Sequence, residues 1–258
     1  MNEIISTYGW LVLCAVFAIT FFAGFTKGAV GFALPMIMIS GIGSLISAEI
    51  AIAGLILPAL VTNIQQSLRN GFASASESFR KYWKLNVILL VMIFLCAQLV
   101  VILADWLLFL ILGAMITVFG TLQLAGWKMH FKESLTNTVE VIVALIAGFF
   151  GGISGVWGPP ILIYLMARDT PKQELMRVQG ISFLIGSIVL LGAHLNSGVL
   201  NATTLPFSAL LVIPALAGLI LGQKLQDRLA PAPLRRLILF VLVIAGLNLL
   251  RRGLIGAF

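Results

Sequence analysis

The sequence predicts an all-α, polytopic membrane protein built from two inverted repeats. Each repeat is a re-entrant, glycine-broken helical hairpin followed by three transmembrane helices. The first observation behind this is composition: 60% of the 258 residues are hydrophobic and only 10% charged, with a mean hydropathy of +1.12, far outside the soluble range. The second is an internal duplication. AGFTKGAVGFALP at residues 23–35 returns as AGFFGGISGVWGP at 147–159, with Ala23/Ala147, Gly24/Gly148, Phe25/Phe149, Gly28/Gly152, Gly31/Gly155 and Pro35/Pro159 in register. The third is the placement of charge, since 13 of the 16 Lys and Arg fall in four short connectors.

The first repeat covers residues 1–127 and the second 128–258. Residues 9–46 hold an apolar run, the glycine break and a second short apolar run, and each arm reads as shorter than the roughly 20 residues that cross a bilayer. Residues 49–68 are long enough to span, with Pro58 inside and Thr62, Asn63, Gln65 and Gln66 near the end. Spans follow at 85–103 and 106–127, joined by a tight turn at Ala104 and Asp105. The second repeat copies this order, with a broken hairpin at 138–167 and spans at 175–195, 205–221 and 237–250.

Charge decides whether the broken segments cross or turn back. If both turn back, the connectors 69–84, 128–132, 168–177 and 224–236 share one side, and the uncharged 196–204 lies on the other. If both cross, the connectors divide between the two sides. The excess of basic residues on the cytoplasmic side of membrane proteins selects the first arrangement. Three spans per repeat is an odd number, so the second repeat enters from the opposite face, as alternating access exploits.

A glycine cluster closed by proline is where a membrane helix loses regular hydrogen bonds. Irregular backbone survives at that depth only when buried in protein or lining a cavity. Paired breaks in two halves therefore point to a binding site. The competing reading is helix packing, because Gly24/Gly28, Gly148/Gly152 and Gly151/Gly155 are also spaced as small-xxx-small contacts. A helix that restarts after such a break presents free N–H groups and a partial positive charge, which favours an anion. Lys27 sits inside the first break, away from every connector, and a charge there is functional by default unless it snorkels to an interface. The second run has Gly151 in its place and adds Ser154 and Trp157. Asn63, Gln66, Gln179 and Ser182 are neutral hydrogen-bonding groups in spans, able to orient a substrate or to join helices.

Other chemistry is poorly supplied. Cys14 and Cys96 lie in apolar runs, and His130 and His194 have no acid or thiol at motif spacing, so no catalytic site, metal site or cofactor is expected. Glu49, Asp105 and Glu140 fall near span ends, where solvated caps are expected. The basic balance of +7 reads as membrane orientation and not as a nucleic-acid surface.

The duplicated glycine-rich runs ending in proline, and the closing PAPLRRLILFVLVIAGLNLLRR, resemble the TauE/SafE family of membrane permeases over essentially the whole chain. The resemblance implies a bacterial inner-membrane secondary carrier, multi-pass in the lipid bilayer, for small sulfur-containing or organic anions such as sulfite, sulfonates or sulfoacetate. It places the substrate at Gly28, Gly31 and Pro35 of the first run and Gly152, Gly155 and Pro159 of the second. The first run departs from the family pattern in carrying Lys27 where glycine is commoner. A homodimer is an open expectation. The rival readings are a passive channel for an anion or small solute, and a membrane-embedded enzyme or assembly factor.

Overall fold

The computed structural model describes residues 2–70, 79–127, 129–226 and 231–257. Much of the expected connector 69–84, Lys128 in 128–132, and the middle of 224–236 lie outside the described residues. Within them the chain is helical: α1 (Asn2–Val30), α2 (Leu34–Ile42), α3 (Ala48–Asn70), α4 (Trp83–Ala97), α5 (Asp105–Leu124), α6 (Thr136–Ser154), α7 (Gly158–Ala167), α8 (Lys172–Ser197), α9 (Thr204–Gln226) and α10 (Pro231–Ala257). Eight of these are long and apolar enough to cross a membrane, and the chain is a multi-pass membrane protein.

One expectation is corrected. The first arm of each broken segment is not short, since Tyr8–Val30 is a predominantly apolar stretch of 23 residues and Glu133–Ser154 one of 22. At 1.5 Å per residue each reaches about the thickness of the hydrocarbon core. Helix α1 leaves helical geometry once, at Gly9 (φ +78°), and beyond it Thr20 is carried by an inward bond, its Oγ1 donating to Val16 O at 2.8 Å.

The breaks fall at the third of the paired glycines. Gly31 has φ +90° and Gly155 φ +69°, a left-handed conformation that ends a helix and that other residues adopt only at a cost. Each amide closes the last turn of its helix, Gly31 N–H onto Lys27 O at 2.8 Å and Gly155 N–H onto Gly151 O at 2.7 Å. The chain then restarts as α2 and α7, each with proline in its first turn, where a missing N–H and a fixed φ do no harm.

Helix directions follow from which residues touch. Helices α1 and α9 run parallel, because Gly24 meets Ala215 and Gly28 meets Leu219 further along. Helices α3 and α9 also run parallel: Ser208 is bonded at Gly54 and Leu57, and Gln65 pairs with Gln223. Thus α1 and α3 point the same way, and α2 brings the chain back between them. In the same manner α6 runs parallel to α4, with Gly148 against Met92 and Gly152 against Ala97. Helix α8 also runs parallel to α4, since Ser182 bonds Asn86 while Gln98 bonds Ala193. Helix α7 is therefore the return arm between α6 and α8. Helices α3 and α8 cross head to tail at the centre, where Asn63 Nδ2 donates to Phe183 O at 3.0 Å and Ser67 Oγ to Gly180 O at 3.0 Å.

Close approach of backbones holds the helix pairs together. A Cβ on Gly24, Gly28, Gly218 or Gly222 would collide with the facing backbone in the α1–α9 pair, as would one on Gly152 in α6–α4. Such contacts replace the hydrophobic drive that lipid removes. Pro58 leaves Gly54 O without its helical donor, and Ser208 Oγ of α9 supplies one at 3.2 Å.

The two ends of the bundle are tied differently. At one end Lys81 Nζ meets Glu174 at 2.6 Å and Tyr82 OH donates to the same oxygen at 3.1 Å. Below them Glu140 accepts from Leu85 N–H at 3.2 Å and from Tyr164 OH at 2.9 Å. Glu140 is therefore a buried, satisfied carboxylate, not the solvated cap expected. At the other end Arg252 bonds the carbonyls of Gly43 and Ile46, and Asn248 Nδ2 donates to Ser44 Oγ at 2.8 Å.

Candidate functional site

The two breaks meet. One pocket, narrow and open at its mouth, is lined by Lys27, Phe32, Ala33, Pro35 and Met36 from the first hairpin and by Gly155, Val156, Trp157, Gly158 and Pro159 from the second. Ala59 and Asn63 of α3 and Phe183 of α8 complete it. The first turns of α2 and α7 both face it, and neither has a side-chain cap. The positive ends of their dipoles therefore border the same space, although among its first three residues α7 has only the Gly158 N–H, Pro159 and Pro160 carrying none.

Lys27 supplies the charge. The side chain is 4% exposed, and its ammonium donates to Thr62 Oγ1 at 2.9 Å and to Asn63 Oδ1. Both partners are neutral. Thr62 Oγ1 is free to accept because its own proton goes to Pro58 O at 2.6 Å, and Asn63 passes the contact on to α8 through Phe183 O. Burying an ammonium without a counter-charge is unfavourable, and an anion in the pocket relieves it. Lys27 does not snorkel outward.

The other candidates divide. Pro35, Asn63, Gly155, Trp157 and Pro159 line the pocket with Lys27. Gly31 forms the first break itself, and its carbonyl accepts from Gln66 Nε2 at 3.2 Å, so Gln66 braces that turn. Ser154 Oγ donates to Phe150 O at 2.5 Å and accepts from Val156 N–H at 3.3 Å, bridging the second break. Gly28 and Gly152 lie inside regular helix, in close backbone contact with α9 and α4, as small-xxx-small spacing allows. Gly151 leaves room for the Trp157 ring. Ser182 joins α8 to α4 through Asn86 at 2.6 Å, and Gln179 is half-buried on α8 outside the lining.

Several lining residues carry no sequence signal of their own. Thr62, which holds Lys27 but is not itself in the lining, stands out only as a polar residue in a span, whereas the lining residues Ala59 and Phe183 read as ordinary core. The register of the duplication is the one signal that could have found the last two, because the offset pairing Ala23 with Ala147 also pairs Ala59 with Phe183.

Among the described residues no group of histidine, cysteine, aspartate or glutamate could hold a metal ion. No curated protein and no solved structure matches the chain. The family model for the sulfite exporter TauE/SafE matches residues 16–249, a stretch that takes in both breaks and every residue of the pocket, and the chain belongs to that family.

Proposed function

We propose that the protein is a secondary transporter that carries small sulfur-containing or organic anions, of the sulfite, sulfonate or sulfoacetate type, by alternating access. Membership of the TauE/SafE family supports transport of sulfur anions. The observation that carries the site is Lys27, a buried ammonium with two neutral partners, on a pocket bordered by two uncapped helix N-termini. Helix directions support inverted repeats, since α1, α3, α4 and α5 run in the opposite senses to α6, α8, α9 and α10. Each hairpin tip then meets the other at the pocket, where movement of one against the rest would open the site to either side in turn. The end holding Lys81 and Arg168 is assigned to the cytoplasm of a bacterial inner membrane by its share of basic residues.

The test is thermal stability of the purified protein across sulfite, sulfate, thiosulfate, small sulfonates and matched carboxylates. Wild type gains stability with one anion class, and Lys27→Met loses at least about tenfold in affinity for it. Equal affinity of the variant for every anion removes Lys27 from the site.

A further inference from the structure

A second cavity carries both signs of charge. It lies at the end of the bundle away from Lys81, where α5 begins and α10 ends side by side, and has a volume of about 400 Å³. Asp105, Trp106 and Phe109 line it from α5, and Arg252, Ile255 and Gly256 from α10. Glycine lets the two helices meet there: a Cβ on Gly253 would come to 2.8 Å from Trp106 O, and one on Gly256 to 3.1 Å from Trp106 Cβ. Both helices are long and apolar enough to span, so their paired ends lie at the depth of lipid headgroups. Trp106 is 37% exposed and Ile255 66%, an indole and an aliphatic chain where the bilayer meets water.

The two charges in the cavity do not meet. Among the described residues Asp105 and Arg252 form no ion pair, unlike Lys81 and Glu174. Arg252 commits one nitrogen to structure: Nη1 donates to Gly43 O and to Ile46 O at 3.2 Å, while the guanidinium lies over the Phe109 ring, 4.4 Å from its centroid. Those partners are neutral. Its Nε and Nη2 remain, and together they form the fork that holds an oxyanion through two hydrogen bonds. Asp105 is exposed, and Glu49 at the start of α3 is near enough to act on it electrostatically. A carboxylate backed by a second one, and a guanidinium with donors to spare, fit a ligand that carries an ammonium and an oxyanion a few bonds apart.

We propose that this cavity binds the headgroup of a zwitterionic phospholipid with a primary ammonium, of the phosphatidylethanolamine type. Its phosphate rests on Arg252, its ammonium on Asp105, and its acyl chains run past Ile255 into the bilayer. A lipid is the occupant because the cavity opens beside exposed aliphatic surface, from which a water-soluble zwitterion gains nothing. An anionic lipid lacking the ammonium meets repulsion at Asp105. A quaternary ammonium offers the carboxylate no N–H.

The test is native mass spectrometry of the detergent-purified protein, titrated with dioleoyl phosphatidylethanolamine, phosphatidylcholine and phosphatidylglycerol. Wild type binds the ethanolamine lipid at least about fivefold more tightly than either of the others. Asp105→Asn, at an exposed position, removes that preference without weakening the glycerol lipid. Arg252→Lys, which keeps a positive charge beside the carbonyls, weakens the ethanolamine and glycerol lipids alike. Equal affinity of wild type for the three lipids overturns the proposal, as does a preference unchanged in Asp105→Asn. Free phosphoethanolamine that displaces the lipid at equal concentration overturns the lipid as occupant. A dimer that takes up no lipid shows that a second copy covers this face, and it overturns the proposal too. The anion site at Lys27 stands apart from every one of these outcomes.

Discussion

Lys27 and Glu174 show how differently a charge behaves at the two depths of this molecule. Lys27 has only neutral oxygens beside it, so its effect waits for a ligand. Glu174 is already answered: the hydrogen bond from Lys81 holds its carboxyl below the usual range, against a smaller opposing effect of burial. A carboxyl lowered on folding stabilises above its ordinary value and loses that contribution as pH falls through the lowered one. Glu174→Gln should therefore lower the melting temperature by about 2 °C or less near pH 7, given the exposure of the pair. The gap should close on acidification, and a gap that persists with Glu174 protonated would mean the residue acts through shape alone. Lys27 was legible in the sequence because a lysine inside an apolar run has few bland explanations. Thr62 was less so, since its importance comes from a contact 35 residues away in the chain.

At the level of the helix, glycine has two opposite uses here. Gly28 lies where α1 and α9 touch backbone to backbone, and a Cβ there would strike Leu219 O. Gly28→Ala should destabilise by about 1–3 kcal/mol through that overlap, outweighing the usual gain of about 0.5–1 kcal/mol for replacing a helical glycine. Gly192 on α8 has nothing within 4 Å of a Cβ, so Gly192→Ala should show the gain alone. Thermal unfolding of the two variants, compared with wild type, reads the difference; the same direction of change in both would remove backbone contact as the reason for Gly28. The sequence could not separate these roles, because GxxxG spacing and a helix break use the same residue. From sequence, Gly28 and Gly152 stand in the breaks on equal terms with Gly31 and Gly155, and only the backbone angles locate the break at the latter pair. The length of the first arms was misread for a related reason. Thr20 and Lys27 look like interruptions in a hydropathy profile, yet inside the bundle each has an internal acceptor.

The whole molecule turns on whether the hairpins return. Lys81 and Ala202 separate the alternatives, because they lie on opposite faces if both hairpins turn back and on one face if both cross. Lys81→Cys and Ala202→Cys, each placed in a Cys14→Ser background because Cys14 is exposed, should react with a membrane-impermeant maleimide from opposite sides of oriented vesicles. Labelling of both from one side would refute the arrangement of helices described here. From sequence, this topology is expected on the basic connectors alone. The meeting of the hairpin tips was expected from the duplication, though nothing local to either run encodes which residues face each other.

The anchoring of the hairpins has a mechanical corollary. The first is fastened at its open end, where Arg252 grips Gly43 and Ile46. The second is fastened at the far end of the bundle, where Glu140 and Tyr164 lock together. Two beams clamped at opposite walls and meeting at their tips turn toward or away from each other when either clamp tilts. Because Gln66 braces the first tip and Ser154 bridges the second, such a tilt is carried whole to Lys27 and Trp157.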